Sequence, residues 1–251
     1  MTKVPTSRLD KLLANLGYAS RREIQLLAKN GHIRLDGVPL PKAEMRIALT
    51  PDLETRLVVD GEALDPLPGV ALMVNKPLGV TCSHKEAGPL VYDLLPPRWR
   101  RRDPAISTVG RLDKETSGLL LMTDDGALLH RIISPKRHVA KRYRAGLARP
   151  MSGGEAELFA SGTLMLEGEE KPLAPAKLEV LGPQEAMLEV HEGRYHQVRR
   201  MFAAAGNHVE TLHRQSIGGL ALPDDLEPGQ IRRLGAADVA AIFDGGSSGG
   251  G

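Results

Sequence analysis

Gly110-Arg111-Leu112-Asp113-Lys114-Glu115-Thr116-Ser117-Gly118-Leu119-Leu120 joins two segments of opposite character. From Gly118 to Thr123 the chain is almost wholly apolar and short, the pattern of a buried strand, and residues 107–112 read as another strand before it. The connection between them is charged, starts at a glycine and holds two carboxylates. Connections of this kind, fixed at both ends by buried strands, are where scaffolds carry chemistry. Residue type alone assigns no role: an Asp at a strand-to-loop junction more often serves as a turn or capping residue. Asp113 and Glu115 lie side by side on an extended segment, but nothing in the spacing sets the separation that a glycosidase carboxylate pair needs.

Outward from this stretch, residues 70–74 read as an apolar strand closed by Asn75-Lys76-Pro77. Asp124-Asp125-Gly126 reads as a turn and cap into a helix over 127–133 that Pro135 stops. A strand is predicted over 141–147, and a hairpin over 176–181 and 185–190 around Gly182-Pro183. Val198, Met201, Phe202 and Ala205 form one stripe of a helix over 195–205, ended by Gly206. Upstream, residues 60–69 hold Gly61, Pro66, Pro68 and Gly69, a linker composition. Before them, Leu9, Leu12, Leu13 and Leu16 sit at helical spacing and Gly17 stops the turn. Ser20-Arg21-Arg22-Glu23 is a capping box opening a second helix that ends near Gly31, and Asp36-Gly37 closes a hairpin between 32–35 and 38–40. Residues 245–251 are Gly and Ser only and are set apart from the fold.

Composition narrows the function. No apolar run approaches the roughly 18 residues of a bilayer span, and the first ten residues lack a secretory core, so a cytoplasmic protein with no membrane role is expected. Cys82 is the single cysteine, which removes intrachain disulfides, thiolate zinc cages and Fe–S clusters. His191, His196, His208 and His213 fit no compact zinc spacing, and His208-Val209-Glu210 lacks the cysteines that a zinc deaminase needs. No metal is assigned. Neither a P-loop nor a dinucleotide glycine fingerprint is present. Net charge is +2, but residues 127–154 hold seven Lys and Arg and no acid, whereas residues 155–192 hold nine Glu against Lys171 and Lys177. The expectation is a two-sided molecule with a polyanion-binding face.

Two groups of motifs resemble known families. Arg8-Leu9-Asp10-Lys11-Leu12-Leu13, Ser20-Arg21-Arg22-Glu23 and Gly31-His32-Ile33-Arg34-Leu35-Asp36-Gly37 together resemble an S4 RNA-binding domain. The stretch quoted first resembles the motif that carries the catalytic aspartate of pseudouridine synthases. Lys141-Arg142-Tyr143 and Glu192-Gly193-Arg194-Tyr195-His196-Gln197-Val198-Arg199-Arg200-Met201-Phe202 follow it in the family's order. Residues 193–214 are most similar to the branch that modifies small-subunit (16S) rRNA.

The resemblance implies an α+β protein. An S4-like module over residues 1–60 and a linker over 61–69 precede a catalytic domain over 70–236, built on a mostly antiparallel mixed sheet; residues 237–251 form the C-terminal end and tail. It implies isomerisation of one rRNA uridine by Asp113, with Tyr143 stacking on the flipped base and Arg199 as the charged partner of Asp113. The reaction transfers no electrons and adds no outside group, so no cofactor is expected. Arg8, Lys11, Arg21, Arg22, Arg111 and Lys141 are the expected RNA contacts; Arg21 and Arg22 stand at a helix start, where free N–H groups also favour a phosphate. The partner is small-subunit rRNA or an assembly intermediate, bound by a monomer. Large-subunit (23S) rRNA is the alternative substrate, and a non-catalytic RNA-binding assembly protein the alternative class.

Overall fold

A computed structural model describes residues 4–83, 85 and 87–244, and the Gly/Ser stretch 245–251 lies outside them. The chain divides into two compact units. The first comprises residues 4–70 with Leu95–Ser107 and Thr123–Asp125, and the second comprises Ala71–Leu94, Thr108–Met122 and residues 126–244.

The first unit runs β1 (Thr6–Arg8), α1 (Leu9–Asn15), α2 (Arg21–Lys29), β2 (Ile33–Leu35), β3 (Val38–Pro39), β4 (Arg46–Ala48), α3 (Leu53–Arg56), β5 (Leu57–Val59) and β6 (Glu62–Ala63). Leu9, Leu13, Leu16, Ile24, Ile33 and Leu57 are fully buried in one core, as the helical spacing demands. Ser20 accepts the Glu23 N–H while Glu23 accepts the Ser20 N–H, so the capping box forms. Asp36-Gly37 and Asp60-Gly61 both take positive φ, the backbone of a tight hairpin turn. The second turn corrects the linker reading. Residues 60–69 do not form a free connection, because β6 pairs antiparallel with β5 and Leu64 is buried in the core.

One further reading is corrected in this unit. Asp124 is not a helix cap: its side chain and that of Arg102 are both 1% exposed and pair at 2.8 Å, and Asp124 also accepts the Gly69 N–H. A buried Asp needs a full-charge partner, and Arg102 supplies it. Arg98 is held by Asp65 and Glu62 and lies over the Tyr18 ring at 4.2 Å. Arg98 and Arg102 are therefore both paired within the unit.

The second unit is built on β7 (Ala71–Lys76), β8 (Ser107–Thr108), β9 (Ser117–Thr123), β10 (Lys141–Leu147), β11 (Lys177–Gly182), β12 (Glu185–Val190), β13 (Val209–Ile217), β14 (Leu220–Ala221) and β15 (Ile231–Arg233). The sheet order is β11-β12-β10-β13-β9-β7-β15, with β14 on β13 and β8 on β9. β13 runs parallel to β9, whereas β11 with β12, β12 with β10, β10 with β13, and β7 with β15 pair antiparallel. Helices α4 (Gly126–Ile133), α5 (Glu155–Ala160), α6 (Gln197–Ala204) and α7 (Ala236–Ala241) complete it. α5 and α6 meet through Phe159 and Phe202, packed edge-on with centroids 5.2 Å apart. Among the described residues no helix is long and apolar enough to cross a membrane.

Three differences from the sequence reading bear on the site. The strand expected over 107–112 is only Ser107–Thr108, so 109–116 is a loop. The helix expected from Tyr195 begins at Gln197, because His196 takes a left-handed backbone (φ +49°) and caps it from outside. The two-sided charge distribution is interrupted within the sheet. Basic β10 lies against acidic β12, and Arg142 pairs with Glu179 and Glu189 while Arg144 pairs with Glu185.

Candidate active site

Asp113 sits midway along the 109–116 loop, and its own backbone carbonyl accepts the Thr116 N–H at 3.0 Å. The loop is held from outside at the next two carbonyls. Lys114 O accepts the Gly79 N–H at 3.0 Å and approaches the Lys76 ammonium at 3.4 Å. Glu115 O accepts Arg199 Nη2 at 2.7 Å, while Nη1 of the same guanidinium donates to Val209 O at 2.7 Å. Lys76 is fully buried and also donates to Pro77 O and Val80 O, and that burial pulls its ammonium below the usual lysine range. After the loop, Gly118 passes directly against the backbone of Arg214 with φ +103°, where a Cβ would strike the Arg214 carbonyl oxygen.

Around the carboxylate, Arg111, Lys141, Tyr143, His196 and Arg214 join Asp113 in lining a pocket of about 280 Å³, closed on its apolar side by Leu112, Val198, Leu212 and Ile217. Asp113 is about one-third exposed and meets His196 Nε2 at 3.4 Å. Tyr143 and Arg214 are cross-strand neighbours on β10 and β13. Arg214 is 3% exposed; its Nε donates to Leu119 O at 2.7 Å, its Nη1 donates to the Tyr143 hydroxyl at 3.2 Å, and its Nη2 is buried without a partner among the described residues. An unmatched donor in a pocket wall is a place for a ligand acceptor. Burial first, and then the nearby Arg214, lowers the Lys141 ammonium to about 8.

Asp113, Tyr143, Arg111 and Lys141 are thus brought to one pocket. Arg199 is close to them in space, but among the described residues it forms no ion pair with Asp113. Its two terminal nitrogens each donate to a backbone carbonyl, a contact that sequence spacing does not encode. Lys76, His196 and Arg214 were not singled out for this site from the sequence. Arg214 could have been: along 209–217 the inward positions Leu212, Arg214 and Ser216 alternate, which places a charge on the buried face. Arg8, Lys11, Arg21 and Arg22 belong to the first unit. There Asp10, fully buried, pairs with Arg8 and Arg21 at 2.8 Å each, and these partners hold its carboxyl down to about 2, Arg8 contributing most. Arg22 and Lys11 stand exposed beside them.

Comparison with known proteins identifies the family. The family model described as RNA pseudouridylate synthase matches residues 70–204, over half of the chain, and that of the S4 domain matches residues 7–48. The chain belongs to the RNA pseudouridylate synthase family. Members of that family are isomerases. The synthase is 39% identical over 236 residues to the ribosomal small subunit pseudouridine synthase A of Vibrio cholerae, covering 94% of this chain and 99% of that one. Over 232 residues it is 40% identical to an uncharacterised RNA pseudouridine synthase of Bacillus subtilis, covering 90% and 94%. A crystal structure of a pseudouridylate synthase superposes with a TM-score of 0.65 at 35% identity, covering 94% of this chain and 99% of that chain. The α+β architecture, with an S4 domain ahead of the synthase domain, is therefore shared along nearly the whole length.

Proposed function

We propose that this synthase isomerises one uridine of small-subunit (16S) rRNA, acting as a cytoplasmic monomer, with Asp113 as the catalytic residue. The observation that carries the reading is the placement of Asp113: a part-exposed carboxylate on a loop pinned at two successive carbonyls, lining the same pocket as the Tyr143 ring. The full-length likeness to a small-subunit enzyme supports the choice of RNA. Turning uridine into its C5-linked isomer breaks the N1–C1′ bond, rotates the base and joins C5 to C1′. One carboxylate suffices as a nucleophile at C1′ or C6 or as a base at C2′. Tyr143 offers its ring to the extruded base, and Arg214 fixes that ring through its hydroxyl. Mapping pseudouridines in rRNA from cells with and without the protein tests the proposal. Loss of one 16S site is expected; loss of a 23S site instead moves the substrate, and no loss in either refutes it.

Arg111 and Lys141 are the proposed phosphate contacts beside the target, and Arg8, Lys11, Arg21 and Arg22 those of the S4 domain. Such contacts position the RNA and do not read its sequence. Lys141 is expected to make binding pH-sensitive. With its ammonium lowered to about 8, charge is lost as pH climbs through 8, so rRNA affinity falls between pH 7 and 9, where an exposed lysine would stay charged to about 10. Binding isotherms across that range should show the decline in the wild type and a weaker but flat profile in Lys141→Met.

Arg199 is proposed as a positioning residue that acts through the Glu115 carbonyl. Arg199→Met and Arg199→Lys are both expected to lose about 10- to 100-fold in kcat, since the two carbonyls are met by separate terminal nitrogens of one planar fork, a spacing that the single nitrogen of a lysine does not reproduce. The acidic limb of the pH–rate profile should not move in either variant. Strong recovery by Lys, or an upward-shifted limb in Met, would instead make Arg199 the charge partner of Asp113.

A further inference from the structure

Tyr195 is 70% exposed, the highest exposure among the large apolar side chains of the second unit. Its ring is not loose. It stacks on His196 with centroids 3.8 Å apart and planes 18° from parallel, and His196 Nε2 reaches Asp113. The left-handed backbone of His196, uncommon for a residue other than glycine, turns these two rings out of the α6 register and stacks them at the pocket rim. One face of the tyrosine is covered by imidazole and the other is open. A solvent-exposed aromatic ring, braced from behind and one side chain away from the reacting carboxylate, has no packing role in the second unit's core.

Extrusion of a uridine breaks the stack on both of its sides and leaves each neighbouring base with a bare face. RNA-binding proteins meet bared bases with aromatic rings, and stacking of this kind tolerates any base because every base has a π-face. We propose that the open face of Tyr195 stacks on the base next to the extruded uridine, with His196 as the spacer that sets its distance from Asp113. The inference rests on the reading of the protein as an rRNA synthase. It adds a recognition element outside the pocket that holds the target, and it predicts a contact with a neighbouring nucleotide that depends on a base being present and little on which base it is.

The test uses short RNAs centred on the uridine that the wild-type enzyme converts: one intact, one with an abasic residue on its 5′ side and one with an abasic residue on its 3′ side. Their kcat/KM values are measured with wild type, Tyr195→Phe and Tyr195→Leu, and thermal melts confirm that all three are folded. One of the two abasic substitutions should lower kcat/KM about ten-fold or more with wild type and Tyr195→Phe, in keeping with the contribution of a stacked base. With Tyr195→Leu that penalty should vanish, the intact RNA having already become as poor a substrate. A penalty that persists in Tyr195→Leu, or no penalty on either side in the wild type, overturns the proposal. If the wild type converts no rRNA uridine, the substrate reading itself falls and this contact falls with it.

Discussion

Asp113→Asn is expected to stop pseudouridine formation while leaving RNA binding nearly as it was. The substitution keeps the volume of the side chain and the Thr116 N–H to Asp113 O contact that shapes the loop, since that contact is backbone to backbone. It removes the anionic oxygens. Among the described residues, the direct side-chain contact given up is the 3.4 Å approach to His196, between groups 39% and 34% exposed, where an ion pair contributes at most about 1 kcal/mol. The phosphate contacts proposed at Arg111, Lys141 and the S4 domain are untouched. An amide is no substitute for a carboxylate as nucleophile or base, so turnover on the mapped uridine should fall more than about a thousand-fold with Kd within about two-fold. Stopped-flow or single-turnover rates measured beside binding isotherms separate the two effects. Turnover within a hundred-fold of wild type would remove Asp113 from the covalent step.

The second large effect concerns stability. Gly118→Ala places a methyl group against the Arg214 backbone: its Cβ would collide with the carbonyl oxygen and lie 2.7 Å from the nitrogen, at a φ of +103° that an L side chain rarely adopts. Neither neighbour is a flexible side chain that can swing aside. Gly118 and Arg214 are register partners in the parallel pairing of β9 with β13, so relief requires parting two central strands. Parting them also breaks the Arg214 to Leu119 contact and shifts the ring of Tyr143. A loss of about 3–5 kcal/mol is expected, at the severe end for one substitution, which lowers Tm by about 10 °C in a chain of this size. Gly110→Ala is the control: its φ of +72° is also positive, but nothing lies within 4 Å of the added carbon. It should cost only about 1–2 kcal/mol. Equal melting temperatures for the two variants would show that the β9–β13 contact yields.

Local pattern accounts for what was legible in the sequence. The leucine spacing of α1, the Ser20–Glu23 box and the Asp36-Gly37 turn each act over a few residues, and each formed where expected. The loop that carries Asp113 was legible because its motif is contiguous. What escaped is non-local or points to backbone. Arg199 grips two carbonyls, and a carbonyl is present at every residue, so no side-chain partner betrays it. Arg142 and Arg144 seemed free to meet a polyanion because Glu179, Glu185 and Glu189 lie some forty residues away in sequence and become neighbours only through the β10–β12 register. Asp124 resembles a turn residue in sequence and is a buried ion-pair partner in space.

The parallel neighbours β9 and β13 have a consequence for how the enzyme is made. Leu119 and the Arg214 side chain that caps its carbonyl are 95 residues apart in the chain. At roughly 5–20 residues per second, translation leaves the apolar Leu119–Met122 edge without this partner for about 5–20 seconds. Through that interval β9 has its upstream neighbours β7 and β8 but one apolar edge uncovered, while the S4 domain upstream already has every residue between its first helix and its second hairpin. The S4 domain therefore emerges well before the active site can be complete: the Asp113 loop can be held at Lys114 O by Gly79 and Lys76 early, but its second brace, at Glu115 O, waits for Arg199. A nascent or truncated chain ending before residue 199 would lack the Glu115 brace, and chaperone demand should peak during synthesis of residues 123–214.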